Sequence, residues 1–108
     1  EPFHGTEIHI YKKVAGAYQR VYTYAHEIEF AHTLVGGTLR GVPSFLAGVR
    51  RKNAELFCVQ YIDGKFVTTQ IDQGAGPANL CLVNEENRDL IVAANHTANE
   101  AAVYIVED

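Results

Sequence analysis

His32 to Asp72, HTLVGGTLRGVPSFLAGVRRKNAELFCVQYIDGKFVTTQID, is the stretch that decides how this chain is read. It contains four apolar runs, HTLVGG, SFLAGVRR, ELFCVQYI and KFVTTQID, rich in Val, Leu, Phe and Thr. The breaks between them carry Gly41 with Pro43, Arg50 to Asn53, and Asp63-Gly64. Short β-rich runs bounded by turn residues predict four antiparallel strands, one complete four-stranded blade. Asp63-Gly64 is the sharpest turn signal. A type I′ hairpin needs positive φ at both central residues, which Asp tolerates and Gly adopts freely, so ELFCVQYI and KFVTTQID should be neighbours.

Working outward, Glu7 to Lys13 (EIHIYKK) and Tyr18 to Tyr24 (YQRVYTY) alternate apolar and polar residues and predict a hairpin around Val14 to Ala17. Ala25 to Ala31 is too short for a stable helix and reads as a connector. Beyond the central stretch, QGAGPA at 73–78 is a Gly/Pro connector, followed by the runs NLCLVN, DLIVAAN and EAAVYIV. The whole chain therefore reads as one all-β unit in three parts. Residues 1–31 form a partial blade and connector, 32–72 a complete blade, and 73–108 a blade lacking its outer strand.

A pattern repeat supports that division. Glu55 and Glu100, each opening a strand, are 45 residues apart, and Ala31-His32 and Ala78-Asn79 are 47 apart. A period in the mid-forties built of short strands is the mark of a β-propeller blade. With strands named a to d from the channel outward, the chain runs c, d, then a, b, c, d, then a, b, c. It contains no Met, so Glu1 is not a translation start, and the reading is of a C-terminal fragment of a longer protein. Its expected partner is the remainder of the propeller or another copy of the chain. A small β-sandwich is the alternative fold, since nine short strands at this spacing would also fit one.

Composition narrows the partners. The 108 residues carry a formal net charge of −4, and the longest basic run is Arg50-Arg51-Lys52. A nucleic-acid or anionic-membrane partner would require a broad basic face, and neither is expected. No apolar run reaches the roughly 18 residues of a spanning helix. The two cysteines, Cys58 and Cys81, sit among apolar neighbours without a CxxC pattern. They read as buried free thiols of a protein in a reducing, cytoplasmic setting.

The segments GTLRGVPSFLAGVRRKNAELFCVQY and NEENRDLIVAANHTANEAAVYIV resemble the blades of FG-GAP or VCBS-type β-propeller proteins. A polar turn leads into a strand ending in small residues, Leu46-Ala47-Gly48 or Val92-Ala93-Ala94. A polar loop and a strand ending in an aromatic follow, Gln60-Tyr61 or Val103-Tyr104. The resemblance covers about residues 30 to 108. Calcium-binding members carry a D-x-D-x-D-G loop, because Ca²⁺ takes six to eight oxygens. The corresponding turns here, Thr38 to Gly41 and Asn84 to Asn87, depart from it, so structural calcium is not expected in them.

In a propeller the d-to-a and b-to-c connections share one face around the channel mouth. That assignment gathers His4, His26, His32 and His96 on one face with Arg50, Arg51, Asn79 and Asn95, leaving His9 within a strand. Imidazoles serve as acids, bases or metal ligands near neutral pH, and Arg or Asn binds carboxylates, phosphates or sugar hydroxyls. Solvated loop residues are the simpler account of the same pattern. The expected function is a ligand-binding module for a small polar or anionic ligand, carbohydrate included. A second reading is a hydrolase or lyase with His32 as acid/base, or as one ligand of a divalent metal shared with other blades. A third is a protein-interaction scaffold. No metal-binding spacing, nucleophile elbow or phosphate loop is present in the sequence, and no cofactor is specified. Asn95-His96-Thr97 matches an N-glycosylation sequon.

Overall fold

The computed structural model describes residues 5–24 and 28–108. These form nine strands: β1 (His9–Val14), β2 (Ala17–Thr23), β3 (Ala31–Leu39), β4 (Val42–Val49), β5 (Leu56–Ile62), β6 (Lys65–Asp72), β7 (Pro77–Asn84), β8 (Asp89–Asn95) and β9 (Glu100–Val106). They make three antiparallel sheets of consecutive strands, β1-β2, β3-β4-β5-β6 and β7-β8-β9, and none of the three closes on itself. The fold is all-β, as expected.

Asp63 and Gly64 take the positive φ values of 51° and 79° that the hairpin requires, and Ile62 pairs with Lys65. Arg40 and Gly41 repeat that conformation at 47° and 79° between β3 and β4. There the Gly is the readable signal and the Arg is tolerated. β4 therefore starts at Val42, two residues before the Ser44 that a break at Gly41 and Pro43 suggests, and Pro43 lies inside β4, opposite Thr38.

The central sheet is apolar on both faces, and that decides the stacking. Along β5, Leu56 and Cys58 point to one side and Phe57 and Val59 to the other, all buried. The first side packs with Leu46 and Leu39 against Leu80, Ile91 and Ala93 of the third sheet. The second packs with Ala47, Val49 and Ile28 against Ile8, Ile10, Tyr22 and Tyr24 of the β1-β2 hairpin and the residues flanking it. Tyr24 stacks on Phe57 with centroids 4.1 Å apart and planes 7° apart. The molecule is consequently a stack of three sheets, measuring 45 × 41 × 19 Å.

Sheets approach most closely where side chains are missing. A Cβ on Gly48 would lie 2.7 Å from Thr33 Cγ2 and 2.8 Å from Pro77 Cβ, so only Gly lets β4 meet the start of β7. The sequence reading of two buried thiols needs correction at Cys81. It pairs with Val92 on the outer face of β7-β8-β9, which nothing among the described residues covers, and is exposed. Cys58 is buried, and burial pushes its thiol pKa up.

Candidate functional site

Because neighbouring strands are antiparallel, the connections fall at two ends of the stack. One end carries the two-residue hairpins of β1-β2, β3-β4 and β5-β6 with the β7-β8 turn. The other carries the longer connections β2-β3, β4-β5, β6-β7 and β8-β9. Backbone hydrogen bonds knit the long connections into a platform. Arg50 N donates to Phe30 O (3.1 Å), Gly76 N to Ala54 O (3.0 Å) and His96 N to Gly76 O (3.0 Å). Thr97 Oγ1 donates to Arg50 O (3.0 Å), tying the β8-β9 loop to the β4-β5 loop directly.

Phe30 is the centre of this platform. It is only 8 % exposed, and its φ of 68° is a conformation that bulky residues rarely adopt. Its ring carries the Arg51 guanidinium 4.3 Å above the centroid and the Arg50 guanidinium at 5.5 Å. His32 stacks on the same ring, with centroids 6.4 Å apart and planes 18° apart. Arg50 Nη2 reaches the His96 ring, 3.1 Å from Nδ1 and 3.3 Å from Nε2. Phe30, Arg50, Arg51, His96 and Thr97 line an open pocket of about 330 Å³.

Among the described residues the lining of this pocket has no acidic side chain. Among the described residues neither Arg50 nor Arg51 forms an ion pair with a carboxylate, whereas Lys52 beside them lies 3.9 Å from Glu29. Two guanidiniums and an imidazole around one aromatic ring suit an anion: guanidinium forks match carboxylate and phosphate oxygens, and the ring holds the cations' planes in place.

The expected site residues thus separate. Arg50, Arg51 and His96 come together, with His32 joined to them through Phe30. His4 and His26 lie outside the described residues. Asn79 is exposed on the outer face of the third sheet, where its Oδ1 accepts from Leu80 N at 3.0 Å. Asn95 is 1 % exposed and belongs to a buried network. Its Nδ2 donates to Glu100 Oε2 (3.1 Å) and to the Tyr104 hydroxyl (3.0 Å), which donates to Asp72 Oδ2 (2.6 Å). Both groups facing Nδ2 act as acceptors, so the amide orientation is fixed and Oδ1 is left without a hydrogen-bond partner. Burial, then Asp72, raises the Tyr104 pKa. With its nitrogen committed inside the fold, the Asn95 sequon is not available to a glycosyltransferase in the folded chain.

Phe30 is the residue that sequence reading misses. Nothing in AHEIEFA marks it, because its role depends on the loop that brings Arg50 and Arg51 over it. His9 bonds Thr23 Oγ1 at 2.9 Å within the first hairpin, away from the platform. Among the described residues no group of three or more His, Cys, Asp and Glu side chains could hold a metal ion, so a divalent metal at His32 would need ligands from beyond them.

The opposite end uses its charges differently. Asp89, buried at the start of β8, accepts from Arg40 N across the sheet interface and from Asn84 Nδ2 at 2.9 Å. Asn84 Nδ2 also reaches Thr38 O at 2.9 Å. The Arg40 guanidinium lies 3.7 Å from Asp89 and holds both oxygens of Asp108 at 3.0 and 3.1 Å. The Arg40 backbone bond, then Asn84, lowers the Asp89 pKa, and Arg40 lowers that of Asp108. This arrangement latches the third sheet to the second.

Comparison with protein-family models, with curated proteins and with solved structures gives no match for the chain.

Proposed function

We propose that this chain is a portion of a β-propeller of FG-GAP or VCBS type whose long-loop end binds a small anionic ligand through Arg50, Arg51 and His96. Successive sheets of two, four and three strands, stacked face to face in chain order, support the propeller over the sandwich. The observation that carries the binding reading is the pair of guanidiniums on Phe30, which among the described residues pair with no carboxylate, in a protein of net charge −4. In such a chain cations left uncompensated in a pocket mark a place where an outside anion supplies the counter-charge. Carboxylates, phosphates and acidic sugars share that chemistry. Calorimetric titration with citrate, phosphate and glucuronate at low salt tests it. At least one should bind, and Arg50→Ala/Arg51→Ala should weaken that binding about tenfold or more. Equal affinity in both proteins, or binding of none, would remove the reading.

His32 keeps a second reading alive, since its ring lies on Phe30 beside the two arginines. In a hydrolase or lyase it acts as acid/base on the bound anion. His32→Ala then abolishes conversion of the bound anion while binding persists. An anion that stays chemically unchanged with the unsubstituted chain sinks the enzyme and leaves the binding module.

The partner is further blades of the propeller or another copy of the chain. The outer face of β7-β8-β9 exposes Val83, Val92, Val103 and Ile105, the last two at 57 % and 54 %. Among the described residues the free side of β9 carries no strand. An apolar face beside an open edge invites a covering sheet. A native mass of a single 11.9 kDa chain would contradict this part, and a scaffold with no small ligand remains if the titration fails while the partner is found. The unpaired thiols agree with a reducing compartment such as the cytoplasm.

A further inference from the structure

A second recess lies at the short-turn end, between the first hairpin and the outer strands of the central sheet. Tyr11 and Tyr22 line it from one side and Tyr61, Phe66 and Pro43 from the other, around a volume of about 740 Å³. That volume falls within the range of pockets for drug-sized molecules. Phe66 forms the floor, tilted against Tyr22 at 5.1 Å and Tyr61 at 5.0 Å between centroids.

The walls are held in place before anything binds. The Tyr22 hydroxyl bonds Thr68 Oγ1 at 2.7 Å, joining β2 to β6 across the recess. Arg20 Nη2 donates to the Tyr11 hydroxyl at 3.1 Å, with the guanidinium carbon 5.7 Å from that ring's centroid. Tyr61 and Tyr11 nevertheless leave 48 % and 51 % of their surface open. The half-exposed Tyr61 ring beside Phe66, on a wall that the Tyr22 hydroxyl ties to β6, offers stacking surface at little cost in ordering.

Lys12 and Lys65 stand exposed among these residues. Among the described residues neither forms an ion pair, and the neighbouring turn residue Asp63 pairs with neither of them. An aromatic floor with exposed lysines among the lining residues suits a flat apolar body bearing a negative group. We infer that this recess is a second binding site, for a small planar aromatic anion such as an aromatic carboxylate. Phe66, Tyr22 and Tyr61 take the ring, and Lys12 and Lys65 take the charge. It is separate from the arginine platform, which offers cations over a buried ring and no open stacking surface.

Fluorescence anisotropy of 2-naphthoate tests this, and the chain has no Trp to interfere. The intact chain should bind 2-naphthoate about tenfold more tightly than the uncharged 2-naphthamide. Lys12→Gln/Lys65→Gln should remove that preference while weak binding of both probes survives. Tyr61→Ala, a substitution at a half-exposed ring, should weaken both probes alike. Arg50→Ala/Arg51→Ala should change neither. Equal affinity for the two probes would overturn the inference, as would loss of naphthoate binding in the arginine variant. A sample that binds neither probe and sediments as a dimer would give the recess to a second copy and overturn it too.

Discussion

Arg40 and Arg50 sit at opposite ends of the same central sheet, at either end of β4. Arg40 is compensated: its backbone N–H and side chain meet Asp89, and its guanidinium forks onto Asp108. Arg50 meets an imidazole and an aromatic ring and, like Arg51, no carboxylate among the described residues. Arginine alone therefore says little about function. At the short-turn end the charge is used up in holding sheet to sheet, and at the long-loop end no carboxylate among the described residues meets it.

The largest effect tests the frame that both ends share. Phe57 is fully buried under Tyr24, and Phe57→Ala should cost about 3–5 kcal/mol in urea unfolding. It should also loosen the first hairpin. A cost near that of a surface substitution would mean the hairpin does not pack there.

Next comes Asp89→Ala, which leaves Arg40 N–H and Asn84 short of an acceptor at a buried sheet junction. It should lower the melting temperature clearly more than Arg50→Ala/Arg51→Ala does. The reverse order would break the comparison between the ends.

Acid should act on the latch in the same sense. The Asp89 and Asp108 pKa values are lowered in the fold, so their stabilisation is complete above the ordinary carboxylate range, near ~3.9. It is lost as pH falls through their depressed values. Asp89→Asn should flatten the acid limb of a melting-temperature profile, and an unchanged limb would remove Asp89 from the account. The smallest effect is at the exposed pair of Arg88 and Glu85, 2.7 Å apart. Arg88→Ala should leave the melting temperature within error of the unsubstituted chain, and a clear fall would show that exposed pairs at that end also hold the fold.

Much of the architecture is legible in the sequence because β-structure announces itself through alternation and turns. Asp63-Gly64 and the run ELFCVQYI lead to an antiparallel hairpin of β5 and β6 that is present in the fold. Cys81 misleads because apolar neighbours in sequence do not reveal which face of a strand a partner covers. The candidate site is legible in part. Loop position brings Arg50, Arg51 and His96 to one end, since all follow from where the strands stop. Phe30 and the buried fate of Asn95 are not legible, because each depends on contacts between loops and strands far apart in sequence. The Tyr104 hydroxyl that Asn95 meets within the third sheet reaches Asp72 only once that sheet docks on the second.

The most direct test of the difference between the two ends is an amide chemical-shift map during titration with citrate at low salt. The account predicts shifts at Phe30, Arg50 to Lys52, His96 and Thr97, and none at Arg40, Gly41 or Asp89. Shifts centred on Arg40 and Asp108, or spread evenly over the exposed lysines and arginines, would contradict it.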